Sequence, residues 1–107
     1  MIHACVTIAT APVQRQGVLD VLRSMLSPTR VEPGCLDCRL YEDVTAEGIF
    51  TLVGDWATPE EFERHLRTEA YRLLLMVMEL SAAAPEIRFH VVSHTMGMEA
   101  IHAARRQ

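Results

Sequence analysis

The sequence predicts one α+β domain, in which an antiparallel sheet carries helices on one face. Three observations predict it. Two stretches, residues 2–10 and Ile87–Val91, alternate apolar and polar residues at period two, and two more, 35–43 and Ile49 to Trp56, read as strands between turn signals. Between them, other stretches repeat apolar residues every third and fourth position. Pro, Gly and polar turns separate the stretches. A chain of 107 residues, half of them hydrophobic, has room for one packed core.

Residues 2–10 alternate Ile2, Ala4, Val6 and Ile8 against His3, Cys5, Thr7 and Ala9, which reads as a strand. Ala11-Pro12 ends it. From about 13 to 27, Val18, Leu19, Val21, Leu22, Met25 and Leu26 form an amphipathic helix, and Ser27-Pro28 is expected to stop it. Glu32-Pro33-Gly34 is a turn, and residues 35–43 form a second strand. Thr45 to Gly48 is a hairpin connection into a third strand, Ile49 to Trp56. Thr58 is placed as an N-cap, with Pro59 at the first helical position and Glu61 three residues after the cap. This short helix puts Phe62, His65 and Leu66 on one face. A second helical run, about 69–83, is apolar around much of its circumference, so it needs cover on more than one side. Pro85 ends it, and Ile87, Phe89 and Val91 alternate with Arg88 and His90 in a fourth strand. The order is the split β-α-β-β-α-β arrangement of ferredoxin-like domains over residues 1–96, with 97–107 a helical tail or arm. Helices cover only one sheet face, and pairing the other with a second sheet is the simplest cover, so a homodimer is expected.

Composition excludes several classes. The ten basic residues are all Arg, scattered along a chain of net charge −4, which makes a poor nucleic-acid binder. No charged n-region precedes an apolar h-region, and the longest apolar run, Leu73–Met78, is far too short to span a bilayer. A cytoplasmic location without membrane contact is expected. Three cysteines argue against a disulfide framework. Cys35 and Cys38 form a C-x-x-C, but residues three apart on a strand point to opposite faces, and no second pair completes a zinc site. His90 and His94 would lie about 13 Å apart along a strand and cannot share an ion, although His3 with one of them and a carboxylate could. The expectation is no metal and no cofactor.

The stretch Glu32-Pro-Gly-Cys-Leu36, then Phe50 and Leu52, then Asp55-Trp56-Ala-Thr-Pro-Glu-Glu-Phe-Glu-Arg-His65 resembles antibiotic biosynthesis monooxygenase (ABM) domains. Asp55 stands where Glu is commoner, and Cys38 where an aromatic is frequent. The resemblance implies a dimeric α+β barrel with a small-molecule cavity between sheet and helices. Its members include monooxygenases that oxidise phenolic or quinol substrates with O2 and no cofactor, haem-degrading enzymes, isomerases and proteins without known activity. The first strand has no Asn, His65 replaces the helical Trp, and residues 72–80 contain no His, so haem degradation is not expected.

His65 is the candidate acid/base, because an imidazole can take a proton near neutral pH. The alternative is a packed histidine bonded to a carbonyl or an acidic neighbour. Candidate substrate-binding residues are Trp56, Phe62, Tyr71, Leu75, Arg39 and Arg72. Trp56 is either the floor of a planar ligand or a core anchor, and Tyr71 either a donor at the pocket edge or packing. Arg39 and Arg72 either stabilise an oxyanion or pair with Asp37, Glu42 or Glu69. A small aromatic, phenolic or quinol substrate is expected. Two other readings stay open, a non-catalytic dimer binding a hydrophobic metabolite and a cofactor-free isomerase.

Overall fold

Strand β1 (Ile2–Ala9) runs through the middle of the sheet, and in this computed structural model, which describes residues 1–106, the other elements are arranged around it. They are α1 (Arg15–Arg30), β2 (Cys35–Glu42), β3 (Ile49–Trp56), α2 (Pro59–Leu66), α3 (Glu69–Met78), β4 (Glu86–Val91) and α4 (Met98–Arg105). The sheet is antiparallel with order β2-β3-β1-β4, the ferredoxin-like topology. Ile2, Ala4, Val6 and Ile8 face inward, and their odd-numbered neighbours face outward. Val18, Leu22 and Met25 of α1 and Tyr71, Leu74, Val77 and Met78 of α3 close over Val6, Ile8 and Phe50.

Helix α2 starts as its sequence dictates. The Glu61 backbone N–H donates to Thr58 Oγ1 at 3.2 Å, and the Thr58 hydroxyl donates to Glu61 Oε1 at 3.0 Å. Two helix ends differ from expectation. Helix α1 does not stop at Ser27-Pro28 but carries Pro28 within its last turns. Pro28 and Ser24 are both solvent-exposed, so water can take the Ser24 carbonyl that Pro28 cannot serve. The added turn buries Thr29 and lets Arg30 Nε donate to the Cys38 carbonyl at 2.9 Å. Helix α3 ends at Met78, short of 83. There the Ala82 N–H donates to the Ala9 carbonyl at 2.7 Å, and the Ser81 hydroxyl donates to the same carbonyl at 3.2 Å. These tertiary bonds displace the helical pattern that the alanines favour locally.

The C-x-x-C reading also changes. A β-bulge between Cys35 and Asp37 sets Cys35 opposite Trp56 and Cys38 opposite Gly54, two residues apart on β3. Both sulfurs therefore belong to the inner face. Cys38 is buried and Cys35 partly buried, and burial raises both thiols, Cys38 to about 11. The outer sheet face carries hydrogen-bonded polar side chains, with Thr7 bonded to Thr51 at 2.9 Å and Arg39 to Asp37 at 2.8 Å. Exposed apolar side chains include Tyr41 on that face, Leu75, Met76 and Leu80 on or just after α3, and Ile87, Phe89 and Val91 on the inner side of β4.

Gly34 occupies the left-handed region at φ 84°, and a Cβ there would collide with the Glu61 carboxylate. Its carbonyl accepts from Ala57 N–H at 2.8 Å, joining the start of β2 to the entry of α2. Gly34→Ala should destabilise the fold by about 1–2 kcal/mol, read as a lower urea midpoint. At the other end of the domain Arg15 grips Glu42 with bonds of 2.8 and 2.6 Å. That guanidinium, with the Gly48 N–H, holds the Glu42 carboxyl down at about 2. A depressed folded-state value stabilises the fold above the unfolded value near 4.5, and the contribution is lost as pH falls toward about 2. Acid titration of stability should show this loss in the wild type and a shallower one in Glu42→Gln.

Candidate functional site

His65 lies on the inward face of α2 and is 6% exposed. Its Nδ1 meets the Glu32 carboxylate at 3.0 and 3.2 Å. Glu32 sits in the turn after α1, where its own N–H donates to Thr29 and its carbonyl accepts from Cys35 N–H at 3.2 Å. With Nδ1–H donated to Glu32, the neutral ring carries its lone pair on Nε2. Nε2 makes no hydrogen bond among the described residues, and His65 lines a cavity. The ring is stacked on Trp56 at 4.4 Å and meets Tyr71 edge-on at 5.3 Å. Two aromatics and one hydrogen bond thus fix its orientation.

The cavity lies between the inner sheet face and the helices. Ala4 and Gly54 form its floor, Trp56, Phe62 and Tyr71 its aromatic wall, and Cys38 and Thr29 its far side. Gly54 leaves room for the indole, because a Cβ there would lie 3.1 Å from Trp56 Nε1. Burial raises the Tyr71 phenol, so it stays protonated. The cavity is small, about 30 Å³, which is one water's share of volume. Phe62 packs edge-on against half-exposed Phe89 at 4.8 Å, and this pair borders the open side under β4. Larger hollows of about 290, 380 and 330 Å³ occur elsewhere on the surface, and no histidine lines any of them.

Of the residues singled out from sequence, His65, Trp56, Phe62 and Tyr71 line this one cavity. Three others do not reach it. Arg39 projects from the outer sheet face, bonded to Asp37 at 2.8 Å. Arg72 is exposed on α3 and bonded to Glu69 at 2.9 Å, because i,i+3 neighbours share a helix face. Leu75, one position past buried Leu74, is 49% exposed. Sequence reasoning missed Glu32, which is 33 residues from His65. A carboxylate in the Glu-Pro-Gly turn was the available signal, but only the fold brings it to α2. Among the described residues no group of three or more His, Cys, Asp or Glu side chains is placed to hold a metal ion. His94 lies beyond the end of β4.

Known proteins with this arrangement place it in a family. Residues 1–74 match the model of the family described as antibiotic biosynthesis monooxygenase, and they include β1 to β3 and both α2 and Leu74 of α3. The chain belongs to the antibiotic biosynthesis monooxygenase family. Its backbone is similar to Rv0793 from Mycobacterium tuberculosis (21% identity, TM-score 0.80, 90% of this chain and 98% of that one). It is also similar to PA3566 from Pseudomonas aeruginosa (25% identity, TM-score 0.76, 87% and 94%). Among curated proteins it is similar to the uncharacterized protein sll1783 from Synechocystis, at 24% identity over 89 residues. The chain spans 60% of that relative's length and the match covers 82% of the chain. No helix among the described residues of this ABM chain is long and apolar enough to cross a membrane.

The buried pair makes a direct prediction. Removing one partner strands the other away from water, so Glu32→Ala should cost about 1–3 kcal/mol of stability. A double-mutant cycle with His65→Phe should return a coupling of about 0.5–3 kcal/mol in urea unfolding. Additive losses would show that the two side chains act separately.

Proposed function

We propose that this chain is a cofactor-independent monooxygenase for a small phenolic or quinol substrate, with His65 as acid/base. The observation that carries the reading is the Nε2 lone pair of a buried, carboxylate-oriented imidazole at the edge of an aromatic-walled cavity. Nε2 takes the hydroxyl proton of the substrate, and Glu32 stabilises the imidazolium that results. The electron-rich anion then reduces O2. For a hydroquinone the balance is one hydroquinone plus O2 giving one hydroxyquinone plus water, with every electron drawn from the substrate. Trp56, Phe62 and Tyr71 supply the stacking surface and exclude water from the intermediates.

A cavity of about 30 Å³ holds a water or an oxygen molecule but no aromatic ring. Substrate entry in this reading requires the Phe62–Phe89 contact to part, and Phe89, half-exposed at the edge of the sheet, is the ring with room to turn. The working unit in this reading is a homodimer. The apolar residues left open on α3 and β4 are the supporting observation, since water-exposed groups of this size favour association.

Oxygen uptake with a panel of hydroquinones tests the assignment. Wild type should consume O2, and His65→Ala should lower kcat by at least about a hundredfold. Glu32→Gln should lower it by about tenfold. Uptake that His65→Ala leaves unchanged would remove His65 from the chemistry, and no uptake with any quinol would favour a non-catalytic binder or an isomerase. Elution at monomer mass in gel filtration would remove the dimer.

A further inference from the structure

Thr29 is the exception among the hydroxyl side chains. Thr7, Thr10, Thr51, Thr58, Thr68 and Ser81, the other serines and threonines that are not solvent-exposed, each make a side-chain hydrogen bond. Even exposed Ser24, earlier on α1, donates back to the Val21 carbonyl at 2.6 Å. Thr29 is buried more deeply than any of these, at 3% exposure, and its Oγ1 makes no hydrogen bond among the described residues. No side-chain oxygen or nitrogen that is wholly cut off there lacks a partner. The Thr29 hydroxyl therefore keeps an opening, and the space its residue lines is the His65 cavity. Tyr71 Oη, Trp56 Nε1 and His65 Nε2 are likewise without a hydrogen bond, and their residues line the same cavity. Four buried residues around one small space thus keep unused polar atoms, which buried groups do only where something else supplies the bond. No carboxylate or guanidinium is among the lining groups. Besides His65, the titratable ones are the Tyr71 phenol and the Cys38 thiol, and burial raises both, so both keep their protons.

We propose that this cavity is a subsite for a single oxygen atom, the hydroxyl oxygen of the substrate, and that Thr29 holds that oxygen once it becomes an anion. The inference rests on the reading of His65 as the base and adds the group that receives the charge. The inventory of donors supports it. Thr29, Tyr71 and Trp56 each offer an O–H or N–H, while Nε2, with the ring proton on Nδ1, only accepts. A hydroxyl matches this set, with its hydrogen toward Nε2 and its lone pairs toward the donors. A volume of about 30 Å³ takes that oxygen and leaves the ring outside, toward Phe62 and Phe89. In the step the O–H bond breaks, an N–H bond forms at Nε2, and the electron pair stays on the oxygen, which accepts from Thr29 Oγ1–H. No electron leaves the ligand at this point. A donor already in place in a site closed to water stabilises the new charge without reorganisation. An O-methyl ether has no proton to give, and its methyl group needs room that the cavity lacks.

4-Nitrophenol is a suitable probe, because its anion absorbs visible light and its binding needs neither O2 nor turnover. Under argon, in buffer about one unit below the phenol's own pKa, wild type should bind it as the anion. The readout is a gain of phenolate absorbance on adding protein. 4-Nitroanisole should not displace the probe. Thr29→Val keeps the side-chain shape, loses no hydrogen bond within the protein, and should weaken binding about tenfold. Thr29→Ser keeps the hydroxyl and should bind as wild type does. Absence of binding, a bound probe that stays neutral, displacement by 4-nitroanisole, or equal affinity in folded Thr29→Val would each overturn the proposal. Ionisation of the probe and competition by the ether are read on wild type, so they decide even where a substitution unfolds the chain. Thr29-dependent ionisation without O2 uptake on any quinol would keep this inference and remove the oxygenase. Uptake on quinols together with binding indifferent to Thr29→Val would do the reverse.

Discussion

The hydrogen bond between His65 and Glu32 is the constraint on which the inner architecture turns. It ties α2 to the turn that leads into β2, adding a side-chain bond where the sheet already sets Cys35 opposite Trp56. A buried imidazole without a partner would cost about as much as a good core contact contributes. The fold therefore has to deliver Glu32 to within 3.0 Å of the ring. It does so by carrying α1 through Pro28, which advances the chain another turn before Val31 and Glu32. The same extension buries Thr29 against the cavity and anchors Arg30 on the Cys38 carbonyl. An irregular helix end is thus a condition for the site.

The small cavity follows from the same packing. Trp56 stacks on His65, Phe62 packs beside Trp56 at 6.3 Å, and Tyr71 closes the third side. Rings packed this closely hold the imidazole in one orientation, which favours proton transfer, but they also occupy the space a substrate would need. The conflict is eased at β4. It pairs only with β1 in the described sheet, its inner residues are exposed, and Phe89 is half-exposed with Phe62 of α2 against it. Rigidity is concentrated around Nε2 and freedom at the mouth, as expected where a site must both orient a group and admit a ligand.

Much of this was legible in the sequence, and the exceptions have physical causes. Period two located β1 and β4, turn signals bounded β2 and β3, and the Thr58-Pro59-Glu61 pattern located the start of α2, because each depends on neighbours in the chain. His65, Trp56, Phe62 and Tyr71 were found for the same reason: helical register and strand ends are local. Glu32 was not, since its partner is 33 residues away. Leu75 was assigned to the pocket because α3 is apolar nearly all round, and such a helix does not reveal which side meets the sheet. Arg39 and Arg72 found carboxylates on their own elements, and local pairing of that kind competes with any role at a distance. The Cys35–Cys38 pair was misread because alternation assumes an unbroken strand, and one bulge moves a residue to the other face.

Strand β1 shows how one short segment can present two different surfaces. Its even positions, Ile2 to Ile8, are apolar and build the core and the cavity floor. Its odd positions are polar and meet the odd positions of β3 and the even positions of β4 on the opposite face. Period two keeps these sets apart, so a change at Ala4 acts on the His65 cavity while a change at Cys5 or His3 acts on the outer face. The two histidine–carboxylate pairs differ accordingly. His65 is sealed among rings, where losing Glu32 would leave a buried group unpaired. His3 is partly wet, where water can replace Asp55 and the bond acts mainly on tautomer and direction.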